Sequence, residues 1–304
     1  MGRKGFIDKR FKREVPLYLM VFPGSLVVLI YAYGPMFGIV MAFQRFLPSK
    51  GFFKSSWIGF KNFEYILNMP GIFRVLWNTL FIAVMKIIFG LLVPIVFALL
   101  LNEVKSKKFK RIIQTMVYLP YFLSWVILGG MLIDILSPSY GIVNQFLTGL
   151  GMEPVFFLGD NRIFPYAMVV TDVWKNFGFN TIIYLAALAG INPELYESSL
   201  MDGANRWRQT WNITFPGMLP IIILVAVLSL GNVLNAGFDQ IFNLYSPQVY
   251  KSGDIIDTMV YRVGFVNAQY SVSAALGLFK SLVSFILIVF SYKLADKVAG
   301  YKIF

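Results

Sequence analysis

The stretch YESSLMDGANRWRQTWNITFP, Tyr196 to Pro216, is polar and charged, and it interrupts a chain that is otherwise mostly apolar. Its leading flank, Asn192-Pro193-Glu194, carries the marks of a helix start: an asparagine cap, a proline in the first turn and an acid near the positive helix end. Asp202-Gly203 is a turn signal. Leu200, Ala204, Trp207 and Trp211 then recur at helical spacing, while Arg206 and Arg208 point elsewhere. The pattern predicts one or two short helices lying along a membrane face, with Pro216 and Pro220 at the entry to the next apolar run. An ordinary interfacial helix anchored by tryptophans fits it as well.

Composition supplies the membrane. Of 304 residues, 58% are hydrophobic and 14% charged, and the mean hydropathy is +0.68. Soluble domains are about 45–50% apolar and about 25% charged, so a soluble core of this length could not bury the excess. The net charge of +12 does not point to nucleic acid, because the basic residues cluster beside apolar runs instead of forming one face. Cysteine and histidine are both absent, which excludes disulfides, thiolate or imidazole metal sites, and Cys–His or Ser–His catalysis.

A spanning helix needs about 20 predominantly apolar residues. Six segments qualify: 17–43, 79–101, 112–136, 164–188, 221–235 with its flanks, and 274–292. The first is too long for a signal-peptide core and has no small-residue cleavage site after it. The basic residues then set the orientation. Arg3, Lys4, Lys9, Arg10, Lys12 and Arg13 precede the first span; Lys105, Lys107, Lys108, Lys110 and Arg111 follow the second. With Arg206, Arg208, Lys293, Lys297 and Lys302 they make sixteen on one side, against eight on the other. The expected layout is a basic cytoplasmic tail over 1–16, a transmembrane domain over 17–292 with its core from about 72, and a cytoplasmic tail over 293–304. The polar stretch lies between spans four and five, in the cytoplasm.

The order of residues in that stretch is specific. Glu197-Ser198-Ser199, three residues, Gly203, nine residues, then Ile213-Thr214-Phe215-Pro216 resembles the EAA loop of importer permeases in the ATP-binding cassette (ABC) class, E-A-A, three residues, G, nine, I-x-L-P. The departures are Ser198 and Ser199 for alanines and Phe215 for leucine. The segments YGPMFGIVMAFQRF, WIGFKNFEYI, WNTLF, VWKNFGFNTIIYLAALAGINPELYESSLMDGA and GDIIDTMVYRVGF extend the likeness over nearly the whole chain. They are similar to permeases for oligosaccharides and complex sugars of the LplB type. The resemblance implies an all-α, type I importer permease fold in a bacterial plasma membrane, with a coupling helix between helices 4 and 5. It also implies a second homologous permease, a dimer of cytoplasmic ABC ATPases and an extracellular solute-binding lipoprotein that delivers the sugar. Glu197, Ser198, Ser199, Asp202, Gly203, Ala204 and Arg206 are the positions it assigns to ATPase coupling; the glycine would allow a tight bend, and the glutamate would meet basic or amide groups of the partner.

No G-x-x-x-x-G-K-[ST] loop is present, and GLFKS at Gly277–Ser281 lacks the second glycine. The chain is therefore expected to hold no cofactor and to be no enzyme, with ATP and Mg bound by the partner ATPase. Polar residues inside spans are costly and face a bundle interior or a cavity. Asp172, Asn176 and Asn180 follow at i, i+4 and i+8, with Trp174 and Lys175 adjacent; Asn232 and Asn235 share a face, with Asp239 one turn on. Hydroxyl-directed hydrogen bonds and aromatic faces hold sugars, so these types suit a translocation path. Helix–helix hydrogen bonding explains them equally. Lys86, Asp134 and Lys280 read as structural pairs or snorkelling groups. A secondary transporter with Asp172 and Lys175 as an ion relay is the alternative; it predicts inverted repeats, and none is seen. An intramembrane enzyme lacks the usual nucleophile–base or metal sets.

Overall fold

A computed structural model describes residues 3–299. Lys302 of the expected C-terminal tail lies outside them, as do the side chains of Arg3, Lys4, Lys9, Arg10, Lys12, Arg13 and Lys297. The chain divides into two compact units. One comprises the chain up to Leu67 together with Val263–Leu278; the other comprises Asn68–Arg262 and the chain from Phe279 onward.

In the first unit, helix Arg3–Val28 takes in most of the stretch read as a tail and runs on through a π-turn, Leu29–Tyr33, into a 3-10 segment, Gly34–Phe43. A two-residue antiparallel ladder follows, Gln44 opposite Trp57 and Arg45 opposite Ser56, a small exception to the all-helical expectation. The buried Asn62 amide pins it, donating to Ala42 O at 2.8 Å and Gln44 O at 3.1 Å. Trp57 stacks on Phe43 at 5.7 Å, and Phe60 and Phe63 close the cluster.

The second unit is built on helix Ile72–Asn102 packed along helix Phe164–Ala189, the most extensive helix pair. Ile82, Phe164, Met168, Ile241 and Ile255, each almost fully buried, form one core; Ala98, Tyr184 and Met218 form another. Apolar packing holds helices weakly in lipid, so small residues and polar ties matter more. Asn78 donates to the carbonyls of Lys251 and Asp254 at 3.1 Å, and Thr79 accepts from Ile256 N at 2.9 Å. Arg262 grips the buried Asp254 carboxylate through both oxygens, at 3.1 and 2.5 Å. Those hydrogen bonds hold the Arg262 guanidinium above its ordinary pKa.

Among the described residues four helices, Glu14–Phe43, Ile72–Asn102, Arg206–Leu230 and Tyr270–Phe290, are long and apolar enough to cross a membrane, and a bent pair, taken as one span, makes a fifth. The pair is the expected third span. It is not one helix: Lys107–Phe122 and Trp125–Ile135 meet at 106°. Pro120 contributes no backbone donor and sits in a 3-10 turn, while Ser124 starts a new helix by accepting from Ile127 N at 3.3 Å. Phe164–Ala189, the expected fourth span, is 26 residues long but is not among the helices apolar enough by composition. Its polar residues lower its hydropathy, which turns attention to what they face. The fifth span also differs. It starts at Arg206, passes a π-turn at Thr210–Thr214 and stops at Leu230. Trp207 and Trp211 thus extend this helix instead of lying in a separate surface helix, and Pro216 and Pro220 sit within it.

Helix Lys107–Tyr118 approaches helix Phe164–Ala189 at Gly178, where a β-carbon would run into the Val117 carbonyl. Gly178→Val should therefore force the pair apart and cost about 1–3 kcal/mol, the usual range for overpacking. Gly130→Val, where nothing lies within 4 Å, is the control. Thermal unfolding of the purified protein in detergent should show a lowered midpoint for the first variant alone.

Candidate functional site

Two sets of residues stand out in the second unit: an open cavity, and the helical turn around Gly203.

The cavity has a volume of about 380 Å³, within the range of about 300–1,000 Å³ usual for ligand sites. Helix Ile72–Asn102 contributes Ala83, Lys86, Ile87 and Gly90; helix Phe164–Ala189 contributes Asp172, Val173, Asn176, Phe177 and Asn180; the far end of the Arg206–Leu230 helix and the turn beyond it contribute Ser229, Asn232, Asn235 and Gly237. The structure thus brings Asp172, Asn176, Asn180, Asn232 and Asn235 to one surface. Trp174 and Asp239 are not part of it. Trp174 turns to the other side of its helix and is exposed. Helical spacing puts Asp239 one turn beyond Asn235, but the chain breaks at Gly231 and turns until Gly237, so Asp239 begins a new helix, Phe238–Leu244.

Among the described residues, the side chains of Asn176, Asn180 and Asn232 make no hydrogen bond within the chain. Helix–helix bonding inside this chain is therefore not what they provide. Asp172 differs. One oxygen, Oδ1, accepts from Lys86 Nζ at 3.3 Å; the lysine side chain is 9% exposed and the aspartate 22%. Lys86 also donates to Ala236 O at 2.7 Å and to Gln240 Oε1. Gln240 is fully buried, and its amide donates to Met168 O at 2.8 Å and Thr171 Oγ1 at 2.7 Å. Lys86 is thus a structural pair, as its position suggested, but the pair borders the cavity. Lys175 points away from it, onto Tyr121 O at 2.8 Å and over the Tyr121 and Trp125 rings. Lys280 pairs with Asp257 at 2.5 Å, and Asp134 accepts from Tyr140 at 3.4 Å. Sequence reasoning did not single out Gln240 or Thr171 for the network that holds Lys86. Two opposite charges near mid-helix, Lys86 and Asp172, were the available signal.

The second set is a helix–turn–helix. Asn192 Oδ1 accepts from Glu194 N at 3.1 Å and so caps helix Glu194–Met201. Gly203 then takes φ +74°, and a β-carbon there would meet nothing within 4 Å; the glycine is required by backbone conformation, not by a close approach. Asn205 Oδ1 caps the next helix by accepting from Arg208 N at 2.9 Å. Gln209 ties the two helices, donating to Ser199 Oγ at 2.9 Å, while Tyr196 OH meets Thr214 Oγ1 at 3.0 Å. Ser199 therefore serves the turn internally, and Arg206 is engaged by Glu103 at 2.7 Å. Glu197, Ser198, Asp202 and Gly203 are exposed, as are Leu195, Leu200 and Met201, the last at 89%. Ala204 is half-buried, and its N–H donates to Ser199 O at 2.9 Å.

Three known proteins are similar to this chain. Protein LplB of Bacillus subtilis (strain 168) is 41% identical over 94% of this chain and 90% of its own. The polygalacturonan/rhamnogalacturonan transport system permease protein YteP of the same organism is 38% identical over 97% and 92%. A crystal structure of a bacterial ABC transporter involved in the import of the acidic polysaccharide alginate superposes with a TM-score of 0.88, at 38% identity and over 96% of this chain and 99% of that one; one of a bacterial alginate ABC transporter in complex with an alginate pentasaccharide-bound periplasmic protein superposes with a TM-score of 0.87, at 37% identity and over 95% and 97%. Residues 90–299 match the family described as binding-protein-dependent transport system inner membrane component. That match takes in the cavity wall from Gly90 onward and the Gly203 turn, and with it the chain belongs to the family of inner-membrane permease components of binding-protein-dependent transport systems.

Proposed function

We propose that this permease forms one half of the membrane pathway of an ABC importer for an oligosaccharide or complex sugar. In this reading it crosses the membrane six times with both termini in the cytoplasm. Helix Phe164–Ala189 counts as a span because its polar residues face the cavity and its partner helices, not lipid. The observation that carries the reading is the cavity itself: three unpaired amides and one carboxylate oxygen, on two different segments, face one space of about 380 Å³. Amides present both donors and acceptors, which is what a sugar's hydroxyls require. The relatives' names support a sugar as cargo, and the alginate transporter's complex supports delivery by a binding protein.

The rest of the machinery is placed on other chains: a second, homologous permease, a pair of cytoplasmic ATPase subunits that bind ATP and Mg, and an extracellular binding lipoprotein. The Glu194–Met201 helix is the part that docks on the ATPase. Its exposed Leu195, Leu200 and Met201 offer apolar surface, and among the described residues the Glu197 carboxylate makes no ion pair. Lys175 donates to Tyr121 O while Asp172 pairs with Lys86, an arrangement that supports the importer reading over an ion relay through Asp172 and Lys175.

Two outcomes are expected. Glu197→Ala should weaken ATPase association by at least about tenfold, roughly 1.4 kcal/mol, with the permease pair intact. Removing one partner of a desolvated contact costs roughly 2–5 kcal/mol, whereas an exposed acid contributes about 0–1 kcal/mol; unchanged affinity in nanodiscs would leave the helix as a plain interfacial element. Single cysteines at positions 172, 176 and 180, in a chain that has none of its own, should react with a membrane-impermeant thiol reagent in a pattern that changes with nucleotide. Protection of all three in every state would remove the cavity from the pathway.

A further inference from the structure

The sugars named for the relatives do not fix the charge of this permease's cargo; the cavity's own charges address it. Its lining holds one cation, Lys86, and one anion, Asp172. An ammonium has three N–H donors, and those of Lys86 go to Asp172 Oδ1, Ala236 O and Gln240 Oε1. None is left for a ligand. Gln240 cannot release the lysine easily, because its own amide is held by Met168 O and Thr171 Oγ1 in a fully buried position. Asp172 is the reverse case: Oδ2 makes no hydrogen bond among the described residues, and the side chain keeps 22% exposure toward the cavity.

We propose that this half of the pathway is built for an uncharged, hydroxyl-rich sugar chain, with Asp172 Oδ2 accepting from hydroxyls and the asparagine amides flanking it, and that it disfavours sugars bearing carboxylates. A uronate brought into this space meets a free carboxylate oxygen and no free cation. Like charges brought together in a desolvated site repel strongly, and amide dipoles alone replace a carboxylate's hydration poorly. A sugar hydroxyl meets the opposite situation, because a hydrogen bond to an ionised acceptor is about twice as strong as a neutral one. The proposal rests on the reading of this cavity as part of the sugar pathway, and it separates this protein from a transporter of an acidic polysaccharide despite their shared fold.

The test uses the assembled importer, both permeases with the ATPase pair, in nanodiscs without the binding protein, so that only the membrane cavity selects. A single cysteine in place of Asn180 reports occupancy through protection from an impermeant maleimide. Xylotriose should protect at a concentration at least about tenfold below that needed of trigalacturonate, the scale of one adverse charge contact. Asn176→Lys adds a cation one helical turn from Asp172, where it answers the free carboxylate oxygen, and it should bring trigalacturonate protection to within the range of xylotriose or below. Equal or tighter protection by trigalacturonate in the unaltered cavity, with no gain on Asn176→Lys, overturns the charge preference while leaving the cavity a sugar site. Protection by neither sugar at any concentration overturns the underlying reading as well.

Discussion

Lys86 is where the second unit is tied together. Its ammonium joins helix Ile72–Asn102 to Asp172 on helix Phe164–Ala189 and, through Ala236 O and Gln240, to the segment beyond the Arg206–Leu230 helix. Burying an ammonium among apolar helices costs several kcal/mol unless every donor is used. Here every donor is used, and the acceptors come from two stretches of chain other than the lysine's own. Lipid gives helices little hydrophobic reason to associate, so a satisfied polar hub of this kind specifies which faces meet. Gln240, with its own amide held by Met168 O and Thr171 Oγ1, extends the tie from a pair to a network. The Asn78 and Thr79 contacts to the 251–256 segment repeat the device nearer the start of the same helix.

The same hub decides where the cavity lies. Asp172 is anchored by one oxygen, and the stripe that continues from it through Asn176 to Asn180 opens onto space on one side of the helix pair. One of the two helices that meet at the Gly203 turn, Arg206–Leu230, lines that space at its far end; the other, Glu194–Met201, follows helix Phe164–Ala189 after a break at residues 190–193. Helix Phe164–Ala189 carries Asp172 about 25 Å from its end at Ala189, at 1.5 Å per residue, and the Arg206–Leu230 helix ends beside Ser229 and Asn232. The turn is internally braced by Gln209 on Ser199 and by Tyr196 on Thr214, and the Arg206–Leu230 helix runs from it to the cavity. One helix thus joins the turn to the cavity wall.

Much of this was legible in the sequence. The helical period of Asp172, Asn176 and Asn180 marked one face, and the spacing from Glu197 to Pro216 marked the turn. What was not legible followed from breaks that hydropathy does not register. The third span reads as a single apolar run from Ile112 to Leu136, yet Pro120 and Ser124 end one helix and start another. Extrapolating helical spacing from Asn235 to Asp239 failed because Gly231 and Gly237 interrupt it. Trp207 and Trp211 looked like anchors of a separate surface helix, because the π-turn that merges them into the next span leaves no compositional trace. Lys175, three residues from Asp172 in sequence, turns onto Tyr121 and Trp125 from the two arms of the bent pair, which no local pattern discloses.

The claim that the Lys86–Asp172 pair holds these three segments together is tested most directly by a double-mutant cycle on the thermal stability of the purified permease. Lys86→Met and Asp172→Leu each strand a charged or polar partner in a poorly hydrated site, and each should destabilise by roughly 3–5 kcal/mol. The double variant, which removes both charges, should recover part of that loss and so be more stable than the sum of the single effects requires, by at least about 1 kcal/mol. Strictly additive losses would show that the two residues do not act on each other and would contradict the account.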